Sequence, residues 1–310
     1  MSLLSDDVTG ATPADVGTAL ASSRVGRRDP TTRLISSPSG AGEFLRATET
    51  PDGPGTLRVR WRRPGGEVDA DAWGPGAQWL LDRVPAMTGR FDPGPGHLAS
   101  APDRAVADGA RRCHHHRLGA TGDLYHALVP TVIEQRVTTR EAKTSWRRLC
   151  QELGDPAPGP TEGLVLPPSP RVLARQPSWW FHPLGIERGR ADTIREVARH
   201  AAKYWDWADL PSAELATRLA MLRGVGRWTI GTVLSSAAGD PDAVPVGDYH
   251  VKNIVVWALA RRPRGTDEEM LDLLEPYAGD RGRVVTILKS GGDGPPKFGP
   301  KQRILPMDRW

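Results

Sequence analysis

Two glycines in the second half of the chain lie between two predicted helices and could bind a phosphate group. The helical patterns cover residues 211–222 and 228–238, and Gly224 and Gly226 fall in the short gap between them. Glycine permits a sharp turn, and the free backbone amides at the start of the second helix favour an anion. Alternatively, this turn only packs two core helices together. The motif by itself indicates phosphate binding but leaves the packing role open.

A carboxylate follows at a position where it could take part in catalysis. The loop at residues 240–253 brings Asp248 to the start of an apolar helical segment at residues 254–260. A helix N-terminus favours the ionised form of such a carboxylate. The alternative is that Asp248 serves only as the N-cap of a helix that begins at Tyr249, and the two roles are compatible. Asp248 is therefore the candidate catalytic group.

These segments resemble the helix-hairpin-helix (HhH-GPD) DNA glycosylase superfamily. Residues 222–229 (LRGVGRWT) are similar to the family's hairpin, and residues 246–249 (VGDY) to the loop that ends in its catalytic aspartate. The spacing of 22 residues from Gly226 to Asp248 also fits the family. Upstream, residues 132–138 (VIEQRVT) are similar to the segment that supplies a glutamine and the residue that fills the gap left by a flipped base.

Further downstream, the chain is similar to the 3-methyladenine DNA glycosylase II branch of this superfamily. Residues 274–277 (LEPY) and 281–285 (RGRVV) are similar to the closing helix of that branch, and the whole likeness covers roughly residues 105–290. The resemblance implies a mainly α fold. It consists of a two-lobed helical helix-hairpin-helix glycosylase core with a small N-terminal α+β domain before it.

The resemblance implies a monofunctional base-excision repair enzyme, a DNA-3-methyladenine glycosylase II-like hydrolase. Such an enzyme flips an alkylated purine (3-methyladenine or 7-methylguanine) out of duplex DNA and hydrolyses its N-glycosidic bond, which leaves an abasic site. Trp228 stands where glycosylases that also cut the strand have a lysine, so we expect no Schiff base and no AP lyase activity. Two alternatives stay open: hypoxanthine or uracil specificity on the same scaffold, and a non-catalytic DNA-damage-binding protein.

The resemblance also implies which residues form the site. Asp248 is expected to stabilise the oxocarbenium-like sugar of the transition state. DNA contacts are expected from the hairpin and the upstream segment, through Gly224, Val225, Gly226, Arg227, Thr229, Gln135 and Arg136. The base pocket is expected from three aromatic residues whose faces attract an electron-poor base, namely Trp228, Tyr249 and Tyr277. The alternatives are a surface arginine at position 136 and aromatic residues that belong to the core.

Two positions depart from the pattern of the branch. Arg136 stands where an apolar wedge is usual, and Thr232 stands where an aromatic residue can occur. These departures leave open which lesion is preferred and how Arg136 affects base flipping.

The elements that must position these residues fall into four parts. Residues 1–27 are small and polar and predict a flexible tail, and residues 291–310 predict a basic C-terminal tail. Residues 28–100 predict an α+β domain, with β-like runs at 43–49 and 56–62 around a hairpin turn and a helix over residues 73–87. Residues 101–290 predict the helical glycosylase domain, in which Thr138 and Glu141 form a capping box.

Cysteine and histidine content limits the metal sites that the chain can build. With only Cys113 and Cys150, the protein alone cannot form a four-cysteine zinc or iron–sulfur site, which excludes the iron–sulfur branch of the superfamily. His114, His115 and His116 are consecutive and cannot easily converge on one ion. We expect no such metal site and no organic cofactor. A hairpin of this type can hold a monovalent cation through backbone carbonyls.

Charge and hydropathy indicate the partner and the compartment. The net charge is +4 and the pI is about 9.3, which is compatible with binding to double-stranded DNA that contains damaged bases but does not establish it. No stretch reaches the roughly 20 apolar residues of a membrane span, and the first residues lack the basic start and apolar run of a secretory signal. We expect a monomeric, cytoplasmic, nucleoid-associated protein without membrane contact.

Overall fold

A computed structural model of the chain describes residues 2–3, 13–37, 40–62, 68–292 and 294–296. The strands are β1 (Ser2–Leu3), β2 (Thr32–Ser36), β3 (Gly42–Thr50), β4 (Gly53–Trp61) and β5 (Val68–Trp73). The α-helices are α1 (Pro13–Ala21), α2 (Ala77–Met87), α3 (Arg104–Arg112), α4 (Leu124–Glu134), α5 (Thr139–Leu153), α6 (Pro170–Arg175), α7 (Arg188–Arg199), α8 (Tyr204–Trp207), α9 (Ser212–Ala220), α10 (Arg227–Val233), α11 (Tyr249–Ala260), α12 (Asp267–Leu274) and α13 (Arg281–Ser290). Short 3-10 helices cover Gly96–Ser100, Ser178–Leu184, Ala201–Lys203 and Glu275–Tyr277, and a π-helical segment, Leu234–Ala238, continues α10. The fold is mainly α, as predicted, and none of the helices described is both long and apolar enough to cross a membrane.

The N-terminal unit is an antiparallel sheet that shares one core with two helices. The strands lie in the order β1-β5-β4-β3-β2. β3 and β4 pair from Gly42 opposite Trp61 to Thr50 opposite Gly53, which confirms the predicted hairpin with a turn of two residues. The core combines apolar residues of the sheet with residues of α1 and α2, among them Phe44, Leu57, Val16, Leu20, Leu80 and Val84.

Two predictions for the N-terminal region are corrected. Residues 13–21, which were assigned to a flexible tail, form α1, because Val16 and Leu20 are buried against the sheet. The helix predicted from Trp73 begins only at Ala77, since Trp73 pairs with Thr56 at the end of β5. Residues 297–310 of the basic C-terminal tail lie outside the described residues.

The helical part has two separate cores, which confirms the two-lobed architecture. The first lobe is built from α4 to α10 and buries Trp146, Phe181 and Ile194. The second lobe combines α3 with α11, α12 and α13 and buries Val255 and Met270. The chain leaves the first lobe after the π-helical continuation of α10 and enters the second at α11. The loop between these helices therefore lies at the junction of the lobes.

This loop is fastened to α13 before it reaches α11. The carboxylate of Asp242 accepts hydrogen bonds from the backbone amides of Gly279 at 2.9 Å and Arg281 at 3.1 Å, and it pairs with the Arg281 guanidinium. Four donors on one carboxylate leave the loop little freedom. The second lobe thereby fixes the path of the backbone that leads to Asp248.

A second fixed point lies at the start of α5. A carboxylate oxygen of Glu141 accepts the Thr138 amide at 3.0 Å, and the Thr138 hydroxyl oxygen accepts the Glu141 amide at 3.3 Å, which confirms the predicted capping box. The turn between α4 and α5 is therefore limited to residues 135–138.

Candidate active site and nucleic-acid interface

Asp248 lies at the junction of the two lobes and is the N-cap of α11. Its Oδ1 accepts hydrogen bonds from the amides of His250 at 2.8 Å and Val251 at 3.0 Å. Its Oδ2 accepts the indole N–H of Trp228, on α10, at 3.0 Å. The capping role is thus confirmed. Because both oxygens are bound, the half-buried carboxylate is held in one orientation.

The pKa of the Asp248 carboxyl lies below its usual value. Burial raises this pKa, but the hydrogen bonds from the Val251 amide, the Trp228 indole and the His250 amide lower it further, and the positive charge of Lys289 adds to their effect. The group is therefore ionised at neutral pH. Such a carboxylate can stabilise a positive charge that develops beside it, but it is poorly suited to donate a proton.

A second carboxylate, which sequence reasoning missed, supports the backbone just before the N-cap of α11. Gly247 has a φ of +97°, and its amide donates to Oδ1 of Asp267 at 3.0 Å. Oδ2 of Asp267 lies 3.4 Å from the ammonium of Lys252. Asp267 is the first residue of α12. The available sequence signal was the capping box at residues 266–269, which fixes where α12 begins.

The hairpin between α9 and α10 contains two glycines with different requirements. Gly224 has a φ of +87°, and a Cβ there would lie 2.1 Å from the hydroxyl oxygen of Thr193, so the fold itself needs glycine. Gly226 has an extended backbone, with φ −102° and ψ −178°, and a Cβ there would meet no atom of the described residues within 4 Å. The described part of the protein therefore does not itself require glycine at position 226. Its small size is instead suited to close approach of a ligand to the backbone.

Three residues that were predicted to contact DNA support the hairpin from inside. Nε2 of Gln135 donates to the carbonyl of Gly224 at 3.0 Å and to the hydroxyl of Thr229 at 2.9 Å. Thr229 and Val225 expose only 1% and 6% of their surface. The protein itself takes up the side chains of Gln135, Thr229 and Val225, so a DNA contact at these predicted positions would have to come from the backbone. The backbone of the hairpin remains the part that faces outward.

Four exposed arginines flank this region, in the hairpin and at the turn between α4 and α5: Arg136, Arg140, Arg223 and Arg227. Arg140 and Arg223 were not among the predicted site residues. None of the four forms an ion pair with another residue that the structure describes. Unpaired guanidinium groups on one surface suit the binding of phosphates. Arg136 also has a φ of +57°, which is uncommon for a residue other than glycine.

The three aromatic residues predicted for the base pocket lie in different environments. Trp228 is half-buried and hydrogen-bonded to the candidate catalytic carboxylate. Tyr249 is 68% exposed at the start of α11. Tyr277 lies in the core of the second lobe, where its hydroxyl donates to Asp103 at 2.5 Å. The assignment of Tyr277 to the pocket is therefore wrong, because its ring packs in the core and its hydroxyl has a partner there.

A cavity of about 290 Å³ opens between the segment after α1 and helices α4, α5 and α10. Thr232 and Ser236, which follow Trp228 along α10 and its π-helical continuation, line one side. Most other lining side chains carry a hydroxyl or a charge, among them Ser22, Thr131, Arg24, Glu134 and Lys143. None of the described residues that line the cavity is Phe, Tyr or Trp. Val25, Ala127, Pro130 and Ala142 add apolar surface, and neither Asp248 nor Trp228 is among the described lining residues.

Comparison with protein families and curated proteins identifies a matching family model and a relative. Residues 129–278 match the family model described as HhH-GPD superfamily base excision DNA repair protein. The YfjP protein of Bacillus subtilis (strain 168), which carries the name of a DNA-3-methyladenine glycosylase, is 22% identical over 136 residues. That alignment covers 43% of this chain and 46% of the relative, so the chain matches about half the length of the curated protein.

Solved structures share the fold over most of the chain. The 3-methyladenine DNA-glycosylase from Archaeoglobus fulgidus superposes with a TM-score of 0.72 at 14% identity, covering 93% of this chain and 96% of that chain. The 8-oxoguanine glycosylase/lyase of Clostridium acetobutylicum, in complex with double-stranded DNA, gives a TM-score of 0.59 at 14% identity over 83% of this chain and 96% of that chain. At these identities the likeness shows a common architecture.

Proposed function

We propose, on the premise that residues 129–278 of this chain belong to the HhH-GPD superfamily of base excision DNA repair proteins, that the protein is a DNA glycosylase. Its proposed substrates are alkylated purines in duplex DNA, such as 3-methyladenine and 7-methylguanine, and its product is an abasic site. The observation that carries this proposal is the ionised carboxylate of Asp248, which is held at the lobe junction by Trp228 and two backbone amides. The names of the Bacillus and Archaeoglobus proteins support the choice of substrate.

The first step is extrusion of the damaged nucleotide, since a base inside the duplex cannot reach the carboxylate. The exposed arginines and the outward backbone of the hairpin bind phosphates. Arg136 enters the space that the base has left. The cost of unstacking is a few kcal/mol, and an already weakened base pair reduces it.

Asp248 acts in the second step through its charge. Loss of the base leaves positive charge on the sugar, and an ionised carboxylate of fixed orientation stabilises that charge without reorganisation. A cationic alkylated purine departs without protonation, so no general acid is required. A carboxylate of lowered pKa is a weak base, and Asp248 therefore orients the attacking water more than it deprotonates it.

Trp228 supports the monofunctional part of the proposal. It occupies the hairpin position from which an amine would attack the sugar in a glycosylase that also cuts the strand, and it donates its N–H to Asp248 instead. The nearby ammonium of Lys252 is paired with Asp267. We therefore propose base removal without strand cleavage.

One observation favours a second candidate substrate class. The cavity beside α10 is lined by hydroxyl and charged groups together with apolar residues, and its described lining lacks the aromatic faces that would attract a cationic base. This lining supports a neutral base that forms hydrogen bonds, such as hypoxanthine or uracil, on the same scaffold. Competition between methylated and hypoxanthine-containing duplexes separates the two classes.

Hydrolysis needs no organic cofactor, and we propose that the protein acts as a monomer on DNA in the cytoplasm. A monovalent cation at the hairpin also remains a proposal. The Leu222 carbonyl already accepts the amide of Val225, and the Gly224 carbonyl accepts Gln135. Each carbonyl oxygen keeps a second lone pair with which a cation could interact.

The test is release of free base from methylated duplex DNA by the wild type, by Asp248→Asn and by the control Asp52→Asn, whose aspartate lies exposed in the β3–β4 turn. We expect the wild type and the control to release 3-methyladenine or 7-methylguanine, with strand breaks only after alkali. Asp248→Asn should bind DNA but release no base. Breaks without alkali would contradict the monofunctional mechanism. No release from methylated, hypoxanthine-containing or uracil-containing DNA, with binding intact, would leave the damage-binding protein as the function.

A further inference from the structure

The turn between α4 and α5 is held from the side of the hairpin. Gln135, the first residue of this turn, binds the carbonyl of Gly224 and the hydroxyl of Thr229 through its side-chain amide. The next residue is Arg136, whose backbone is left-handed. The capping box at residues 138–141 fixes the far end of the turn.

Arg190 binds the end of α4, just before this turn. It lies on α7 and is only 3% exposed. Its Nη1 donates to the carbonyl of Ile133 at 2.7 Å, and its Nη2 donates to the carbonyl of Gly185 at 3.2 Å. Ile133 is in the last turn of α4, where carbonyls lack intrahelical partners and a positive charge is favourable.

Two features at this end of α4 are energetically unfavourable, and neither is needed merely to continue a helix. Burial lowers the pKa of the Arg190 guanidinium, and the charges of Glu187 and Glu141 only partly oppose this, so the buried cation is costly. A left-handed arginine is also unfavourable and persists only where its surroundings fix the backbone. The buried cation and the strained backbone lie close together. Arg190 binds the carbonyl of Ile133, and Arg136 is the third residue after Ile133.

We propose that Arg190 is a positioning residue for Arg136: it fixes the end of α4 so that Arg136 is presented to DNA in its left-handed conformation. This inference rests on the proposed function, in which Arg136 fills the space of the extruded base. Arg190 itself is buried and touches no substrate. Its contribution therefore passes through Arg136 and affects extrusion, not the hydrolysis step.

The experiment is a double-mutant cycle in the full-length protein. Single-turnover base release is measured for the wild type, Arg190→Met, Arg136→Ala and the double variant, on one lesion placed either in a paired duplex or in an unpaired bulge. Arg188→Met is the matched control, since Arg188 lies on the same helix and its side chain is 90% exposed. Arg190→Lys keeps the buried charge and one donor group. It replaces Arg190→Met in the double-mutant cycle if Arg190→Met does not fold.

We expect Arg190→Met to slow release from the paired duplex by about tenfold, as is typical of residues coupled in one network. In the Arg136→Ala background the same change should cost less than about twofold, and on the bulged lesion it should have little effect. The fluorescence of 2-aminopurine placed beside the lesion in the paired duplex should fall in parallel in Arg190→Met, because this variant is expected to lose extrusion of the base. Arg188→Met should behave as the wild type.

An equal loss with and without Arg136, or an equal loss on paired and bulged lesions, would overturn the inference and leave Arg190 with a purely structural role. Failure of the proposed function gives a different result, in which the wild type itself releases no base from either substrate. If the wild type is active and the effects of the two substitutions are additive, the positioning role is rejected and the proposed function stands.

Discussion

The indole N–H of Trp228 donates a hydrogen bond to Oδ2 of Asp248 at 3.0 Å, across the junction of the two lobes. Trp228 belongs to α10, which packs in the first lobe, and Asp248 caps α11, which packs in the second. The orientation of the carboxylate therefore depends on how the lobes dock. The two backbone amides of α11 hold only its other oxygen.

Trp228→Phe should keep an aromatic ring at this position and remove the hydrogen bond. A hydrogen bond to a charged group contributes about 1.5–3 kcal/mol, so we expect the single-turnover rate to fall by roughly ten- to a hundredfold. The binding of undamaged DNA should change little. A control at an aromatic residue away from the site, Trp179→Phe, should leave the rate unchanged, since Trp179 is 75% exposed on a different element. An unchanged rate in Trp228→Phe would show that the indole does not orient the carboxylate.

The same variant should shift the acid limb of the pH–rate profile. In the proposed mechanism Asp248 acts in its ionised form. Its pKa lies below the usual value of about 3.9, so activity should be lost only as the pH falls below that value. Stability from its ionised form is likewise present above the unfolded pKa and is lost as the pH falls through the folded pKa. Loss of the indole raises the pKa, so the acid limb of Trp228→Phe should lie at higher pH. Rapid-quench rates from neutral pH down to well below the usual carboxyl pKa of about 3.9 measure the acid limb of the wild type and of Trp228→Phe. A shift to lower pH in the variant would contradict the assignment.

Two substitutions of Asp248 should separate capping from catalysis. Asparagine is a good N-cap, whereas alanine costs about 1 kcal/mol of stability at such a position. Asp248→Asn should therefore unfold near the wild-type temperature and Asp248→Ala below it, while both lose base release. Ser169→Ala is the control, because Ser169 caps α6 away from the site; it should lose stability and keep activity. Base release by Asp248→Asn at the wild-type rate would remove Asp248 from the mechanism.

The two hairpin glycines should respond differently to alanine. Gly224→Ala forces a side chain into a left-handed backbone and against Thr193, so we expect a loss of stability of more than about 1–2 kcal/mol. The methyl group of Gly226→Ala meets no atom among the residues that the structure describes, so this variant should fold normally. It should nonetheless weaken DNA binding by about tenfold if the backbone there approaches a phosphate closely. Thermal unfolding and fluorescence-anisotropy titrations decide this, and normal DNA affinity in Gly226→Ala would place the contact elsewhere.

Two non-glycine residues in the described part of the chain have left-handed backbones and provide a matched pair. Arg136 and Arg261 have φ angles of +57° and +56°. In each, glycine should relieve about 1 kcal/mol of strain, partly offset by the greater freedom of glycine in the unfolded chain. Stability should therefore change by less than about 1 kcal/mol in both variants. Only Arg136→Gly should slow base release from paired DNA; an equal effect of Arg261→Gly would point to a general change in charge.

The sequence alone was sufficient for features that depend on neighbours within a few residues. The glycine hairpin, the capping box of Thr138 with Glu141, and Asp248 at the start of a helix all follow from local backbone rules. The resemblance to a known superfamily then supplied the mainly α, two-lobed architecture, which the family match and the two helical cores bear out.

Only the tertiary structure decided which distant groups meet. It buries Tyr277 against Asp103, 174 residues away, and it commits Gln135 to Gly224, 89 residues away. It also packs α1 against the sheet, where the polar composition of the first residues had suggested a tail. The physical reason is that the partner of a side chain is set by the packing of whole elements. Local spacing can place Asp248 at the end of a loop, but only the docking of the two lobes brings Trp228 to its carboxylate.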